Sequence, residues 1–502
     1  MIAAIEKNRH LIVFAFFSCF LLIGFMIFKD YGAHYDEQNN ETYGERWTNY
    51  TVSPAFHTPN LMDLTHGPFL EISLTLLRNY LHLTDIRQII LLRHLSIFLL
   101  FFLGTIIFYF LCLGHFRNWK LALLGSAFLI LSPRQFNHAF YNTMDIGFLV
   151  FFLLAVFTLL RFLNNKTPGM AILSALTCAM AADIRTIGIL LVFLTGLSLR
   201  NEHSPKNIKL FFIYLALFFV FFILFCPLLW SHPYAHVLLI FKNTAIKNIA
   251  LPYQVFYLGK KYHLYNLPWH YVPVWILIST PIMYIFLFLI GCLSSTKALF
   301  VNHLGNSETK KNTIIFLLWF FVPLLFTQGK IYDSWRQLFF IYPALVLLAV
   351  SGFKYLWESL VFARLVLALL LLAGIISVAE FMIRNHPFED VYFNSLAGKS
   401  PDEIKANFEL NDWGNSDKQA LEYILKTDKS SSIKVKFNII DPGHINFYFL
   451  PKADRKRLVF ADTKTTPKYF IVQYRYPQDW PYKEEIYSIK VEGLKILSIY
   501  QL

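Results

Sequence analysis

The most constraining feature of this chain is a series of apolar runs, each about as long as a bilayer is thick, divided by short clusters of Lys and Arg. Crossing about 30 Å of hydrocarbon takes about 20 apolar residues in a helix. By that measure the runs predict about eleven spans: 11 to 28, 89 to 113, 120 to 132, 146 to 163, 168 to 183, 186 to 199, 208 to 229, 271 to 293, 312 to 327, 337 to 352 and 361 to 382. Only 15% of the 502 residues are charged and 56% are hydrophobic, 52 of them Phe. A soluble protein carries about 25% charged residues. The composition thus excludes a soluble enzyme, a disordered chain and a collagen-like one.

The formal net charge of +13 raises nucleic acid as a partner, but the basic residues lie between apolar runs, where topology accounts for them. With the N-terminus on the cytoplasmic side, the inner loops collect Lys7, Arg9, Arg117, Lys120, Arg161, Lys166, Arg200, Lys206, Lys209, Lys297, Lys310, Lys311, Lys354 and Arg364. Only Glu6, Glu202, Glu308 and Glu358 oppose them. Parity then puts residues 29 to 88, 230 to 270 and everything after about 383 on the outer side. The first apolar run lacks a small-x-small cleavage site and reads as a retained span rather than a signal peptide. All five cysteines lie in apolar segments, so no disulfide framework or zinc site is implied.

Past residue 383 the long Phe/Leu runs give way to mixed sequence. Residues 383 to 502 read as a soluble α/β domain, with a helix at Gln419–Lys426 and strands at Ile433–Ile439, Arg457–Ala461, Tyr469–Tyr474 and Ile486–Tyr500. The expected fold is therefore a polytopic α-helical membrane domain, residues 1 to 382, followed by this extracytoplasmic α/β domain.

Acidic side chains avoid the apolar runs but collect at their outer ends. His34-Tyr35-Asp36-Glu37 follows the first span, and Asn142-Thr143-Met144-Asp145 opens the fourth. A carboxylate at a span end reaches the lipid surface without the cost, about 2.5 to 3.5 kcal/mol or more, of burial at the bilayer centre. The competing readings are a solvated acidic loop for the first cluster and a helix cap for Asp145. Thr65-His66-Gly67-Pro68-Phe69 lies in the first outer loop, where His66 is either a turn residue or a ligand. Arg185, in Asp183-Ile184-Arg185-Thr186, either neutralises Asp183 or binds phosphate. Lys330-Ile331-Tyr332-Asp333-Ser334-Trp335-Arg336 puts cations on the outer side, against the positive-inside rule. Two carboxylates, a His and several cations suit a lipid-linked phosphosugar: cations or a Mg²⁺ or Mn²⁺ ion on Asp36 and Asp145 for the phosphate, a carboxylate to deprotonate the acceptor.

These motifs together resemble the GT-C superfamily of polyprenyl-phosphate-dependent glycosyltransferases, and within it the group of protein O-mannosyltransferases and the lipid A aminoarabinose transferase. Asp36-Glu37 is similar to the group's first-loop Asp-Glu motif, and Asn142 to Asp145 to its second acidic motif. His66-Gly67-Pro68-Phe69 is similar to its His/Lys-x-Pro-Leu element, with Gly67 and Phe69 where Pro and Leu are commoner. Tyr332 to Arg336, His386-Pro387 through Tyr392-Phe393-Asn394, and Asp412-Trp413-Gly414 look like stretches of bacterial members. The resemblance implies transfer of a sugar from a polyprenyl phosphate, with inversion, at the outer face of a membrane, a bacterial inner membrane by the same analogy. It implies Asp36 as base and Asp145 beside a metal or the donor phosphate. Arg185, Arg336 and Lys330 are then expected on the phosphate, with Glu37 and His66 in support. It leaves the sugar and the acceptor open. The chain has no GxGxxG or Walker-type loop for a nucleotide sugar. A transporter or flippase is the alternative, but such proteins place ionisable groups at mid-membrane depth and often show inverted repeats, and neither is visible here.

Overall fold

The structure is a computed structural model, and it describes residues 6–52, 66–200, 204–245, 254–300, 307–326, 331–410, 414–461 and 466–502. Lys330, Asp412 and Trp413 lie outside the described residues.

The first apolar run forms α1 (Arg9–Ile27), and the segment that follows it carries two further helices, α2 (Glu37–Val52) and α3 (Phe69–Tyr80). The second run becomes α4 (Ile86–Phe116), whose 31 residues reach about 46 Å, longer than the hydrocarbon is thick. Then follow α5 (Trp119–Ile130), the short α6 (Pro133–His138), α7 (Thr143–Asn164), α8 (Pro168–Ile184), α9 (Leu190–Arg200), α10 (Pro205–Phe225) and α11 (Pro233–Ala245). After a hairpin, β1 (Gln254–Tyr257) with β2 (Lys260–His263), come α12 (Tyr271–Ser279), α13 (Ile282–Phe300), α14 (Ser307–Phe326), α15 (Tyr342–Ser359) and α16 (Arg364–Arg384).

Among the described residues, seven helical stretches are long and apolar enough to cross a membrane, and three more are apolar but shorter. With α14 they cover the eleven expected segments. The expected span at 271 to 293 is two helices instead. Pro281 has no N–H to donate and forces Thr280 into extended backbone, so α12 stops at Ser279 and the long helix runs to Phe300. In α7 and in the stretch ending with α15, 78% of the apolar window is buried, against 6% for the stretch ending with α16. The first two form the bundle's centre and α16 faces lipid. Helices α13 and α15 pack backbone to backbone at Gly291 and Gly352. A Cβ on Gly291 would lie 1.8 Å from the Leu348 carbonyl oxygen. Small residues at such crossings let membrane helices approach closely.

The C-terminal region is a five-stranded mixed sheet in the order β4-β3-β5-β7-β6, built from β3 (Ile433–Phe437), β4 (Leu458–Phe460), β5 (Tyr469–Gln473), β6 (Glu485–Val491) and β7 (Leu494–Gln501). Strand β3 runs parallel to β4 and β5, and β7 antiparallel to β5 and β6. Helices α17 (Pro401–Asn407), α18 (Asp417–Thr427) and α19 (Ile440–Phe449) surround the sheet. Its own core includes Leu421, Ile424, Ile433, Val435, Ile471, Ile496, Leu497 and Ile499. The expected strand over Ile486–Tyr500 is a hairpin, turned at Glu492-Gly493, both with positive φ (47° and 85°), as a two-residue turn requires. The chain is thus a polytopic α-helical membrane protein with a C-terminal α/β domain.

Candidate active site

Between α1 and α2 the chain passes through Asp30-Tyr31-Gly32-Ala33-His34-Tyr35-Asp36. Gly32 has no substitute here, because a Cβ would lie 2.0 Å from the carbonyl oxygen of Asn415. His34 is buried and brackets the turn. Its Nε2 donates to the Tyr141 carbonyl at 2.8 Å and its Nδ1 accepts the Asp36 N–H at 3.1 Å. Burial pushes its pKa down to about 4, so the ring stays neutral in that tautomer. Asp36 is half-buried. Burial raises its pKa, Arg336 opposes the rise, and Asp333 and Asp145 add to it. A carboxylate so placed is a stronger base than an exposed Asp.

The second half of the site starts at α7. Asn142 caps that helix by accepting the Asp145 N–H at 2.9 Å, and its Nδ2 donates to both His138 Nδ1 (2.9 Å) and Asp145 Oδ2 (2.8 Å). Asp145 is fully buried and holds two guanidinium groups, Arg185 on Oδ1 and Arg336 on Oδ2 at 2.9 Å. Arg336 also bonds Asp333 Oδ2 at 2.9 Å, and Asp333 Oδ1 takes Arg475 at 2.5 Å. Arg475 in turn lies 3.5 Å from buried Glu409. Three arginines and three carboxylates thus alternate in one chain of ion pairs, with Asp36 close enough to the middle arginine, Arg336, to feel its charge. Burial alone would raise the Asp333 pKa, but Arg475 and Arg336 together hold it below the usual range. Asp333 and Ser334 both have positive φ (55° and 62°), a strain of order 1–3 kcal/mol each that clusters at functional sites.

Asp36, Asp145, Arg185 and Arg336 therefore come together, although 300 residues separate the first from the last. Glu37 turns away from them. It is buried and pairs with His94 of α4 at 3.3 Å, an attraction that outweighs burial and lowers its pKa. His66 accepts the Tyr43 hydroxyl on its carbonyl, and the next N–H, of Gly67, bonds the Asp183 carbonyl at 2.7 Å. Asp183 and Arg185 are not an ion pair. Asp183 Oδ2 takes the Phe69 N–H at 2.9 Å, while Arg185 extends to Asp145. A side chain on Gly67 would collide with Asp183, 2.2 Å away.

A divalent metal on Asp36 and Asp145 does not fit this donor set. Both Asp145 oxygens are occupied by arginine and Asn142 donors, and among the described residues no three His, Cys, Asp or Glu side chains gather as a metal cage. Sequence reasoning also missed a buried brace. Arg93 pairs with Glu71 at 2.8 Å, and Glu71 accepts the Thr143 hydroxyl at 2.5 Å, tying α3 and α4 to the start of α7. Single charges inside apolar stretches were the available signal for it, since such charges must find partners.

No protein-family model and no curated protein matches the sequence. Solved structures do match. ArnT from Cupriavidus metallidurans, bound to undecaprenyl phosphate, superposes with a TM-score of 0.50 at 11% identity, covering 98% of this chain and 98% of that one. The archaeal oligosaccharyltransferase AglB from Archaeoglobus fulgidus, in complex with an inhibitory peptide and a dolichol-phosphate, gives 0.47 at 11% identity over 93% of this chain and 70% of its own. The Archaeoglobus fulgidus oligosaccharyltransferase with Zn and sulfate gives 0.44 at 11% identity, over 90% and 68%. The likeness to ArnT runs through both the helical bundle and the C-terminal domain, and the two chains share one fold.

Proposed function

We propose that the protein is an integral-membrane glycosyltransferase that moves a sugar from a polyprenyl phosphate to an acceptor hydroxyl at the outer membrane surface. Asp36 takes the acceptor proton. The acceptor oxygen attacks the anomeric carbon as the bond from that carbon to the phosphate oxygen breaks, so a single displacement inverts the configuration. The departing phosphate gains negative charge, which Arg185 and Arg336 stabilise. Asp145 holds these two guanidinium groups apart and aimed. Glu37, through His94, fixes the start of α2 behind Asp36. His66 and Lys330 are proposed as outer-loop contacts to the donor. The same reading puts the N-terminus in the cytoplasm and the C-terminal domain outside a bacterial inner membrane.

The observation that carries this reading is Arg185. It is bonded to one carboxylate, and its buried Nε has no hydrogen-bond partner among the described residues. A buried guanidinium N–H left unmade is costly, and an anion beside it removes the cost. That ArnT, with the same fold, is bound to undecaprenyl phosphate supports the choice of anion.

The test incubates purified protein with undecaprenyl-phosphate sugars and candidate acceptors. Asp36→Asn is expected to lower turnover by about 10²- to 10⁴-fold, the usual worth of a general base. Equal turnover by Asp36→Asn and wild type would remove Asp36 from the reaction.

A further inference from the structure

The C-terminal domain reaches into the site at two places. On α19, buried Asn446 accepts the Ala33 N–H on Oδ1 at 2.8 Å and returns Nδ2 to the Ala33 carbonyl at 2.8 Å, three residues before Asp36. It thus clamps the base's loop with a pair of hydrogen bonds from the C-terminal domain. The second place is Arg475, just past β5, whose carbonyl accepts the Leu410 N–H at 3.3 Å. Its guanidinium spans Asp333 and Glu409, and Glu409 accepts the Phe256 N–H of β1 at 2.8 Å. Three outer segments that are remote in sequence converge on this one side chain.

The consequence follows from the chain of pairs. Asp333 has two oxygens and two guanidinium partners, one each. Without Arg475, both oxygens become available to Arg336, whose planar fork suits a bidentate carboxylate better than a divided one. Arg336 would then be drawn off Asp145. The strained backbone at Asp333 and Ser334 would also lose an anchor on the C-terminal side.

We infer that Arg475 is a positioning residue of the transfer centre, acting through Asp333 to keep Arg336 on Asp145 and available to the donor phosphate. The C-terminal domain is thereby a working part of the site rather than an appended module. This inference rests on the reading that Arg336 meets a lipid-linked phosphate.

The test uses the full-length protein and two readouts, affinity for undecaprenyl phosphate alone and the separate kcat and KM of transfer. Four variants are compared with wild type: Arg475→Ala, Arg475→Lys, Asp333→Asn and the double Asp333→Asn/Arg475→Ala. Arg475→Ala should weaken undecaprenyl phosphate binding and raise KM by about tenfold, within the range of coupled neighbours. Arg475→Lys should recover part of the loss. The double variant should be no worse than Asp333→Asn alone, because the second change has nothing left to act through. A merely structural role would reduce the folded fraction and leave the affinity of the surviving protein unchanged. If Arg475→Ala fails to fold, Arg475→Lys and Arg475→Gln carry the same comparison. Wild-type affinity in Arg475→Ala, or effects of Asp333→Asn and Arg475→Ala that multiply, would overturn the inference while leaving the transferase reading intact. A wild type that neither binds undecaprenyl phosphate nor transfers sugar would overturn both.

Discussion

Replacing Asp145 with Asn is the most informative perturbation of the ion-pair chain, because the shape is kept and only the charge is lost. Asp145 is buried and serves Arg185 and Arg336, whose side chains are 15% and 8% exposed. After the change Arg336 keeps Asp333, whereas Arg185 loses its carboxylate. The new amide also turns an N–H toward groups that can only donate. Removing one partner of a buried pair costs about 3–5 kcal/mol. Because Arg336 retains a partner and Arg185 keeps some contact with water, the lower end, about 3 kcal/mol, is expected. Thermal unfolding in detergent should show the loss, and donor-lipid affinity should fall with it. Combining Asp145→Asn with Arg185→Ala should cost less than the two single changes added together, since the buried unpaired charge is then gone. If Asp145→Asn unfolds at the wild-type temperature, the carboxylate is not what holds the two guanidinium groups.

Three further outcomes are expected. The pH profile of kcat/KM should fall on the acid side at a pH above the ordinary carboxylate value of about 3.9, because burial raises the Asp36 pKa and the base must be ionised to act. Arg336→Gln should move that limb still higher, and a limb at the ordinary value would contradict the raised pKa. Asp417, buried in the C-terminal domain beside Gln473, has its pKa pushed up to about 8 by burial. The folded protein therefore holds a proton that the unfolded chain releases near pH 4, so stability falls as pH rises through that window. Asp417→Asn should flatten the dependence of melting temperature on pH between 5 and 8, and an unchanged slope would remove Asp417 as its source. Gly291→Ala should destabilise by at least about 1–3 kcal/mol, as overpacking does, while Gly114→Ala in α4, with nothing within 4 Å of the added carbon, should be neutral or better in the same melting assay.

Much of the helical architecture was legible because a bilayer imposes one length and one polarity on every span. The limits were local. Pro281 broke a run whose composition stayed apolar on both sides, and the turn at Glu492-Gly493 was hidden because apolar and polar residues alternate on both sides of it, from Tyr487, Ile489 and Val491 to Leu494 and Ile496, with only a one-residue shift in phase to mark it. Helix α2 was not expected, since its Glu, Asn and Thr residues resemble a solvated loop, and what holds it is burial of one face, Tyr43, Trp47 and Tyr50 among them. At the site, Asp36, Asp145, Arg185 and Arg336 stood out as charges at the ends of apolar runs. Arg475 and Asn446 did not, because in a polar β-domain an Arg or Asn has no unusual setting until the fold brings it against the bundle. Glu37 was expected to support Asp36 because it adjoins it, yet successive residues at a helix start point in different directions, and Glu37 meets His94 while Asp36 lies toward the arginines.

The most direct test of a lipid phosphate held between Arg185 and Asp36 is an experimental structure with undecaprenyl phosphate bound. The phosphate is expected within about 4 Å of the Arg185 or Arg336 guanidinium, the distance of an ion pair, with one of its terminal oxygens directed to the space in front of Asp36. A phosphate seated away from both arginines, with the two guanidinium groups still committed to Asp145, would contradict it.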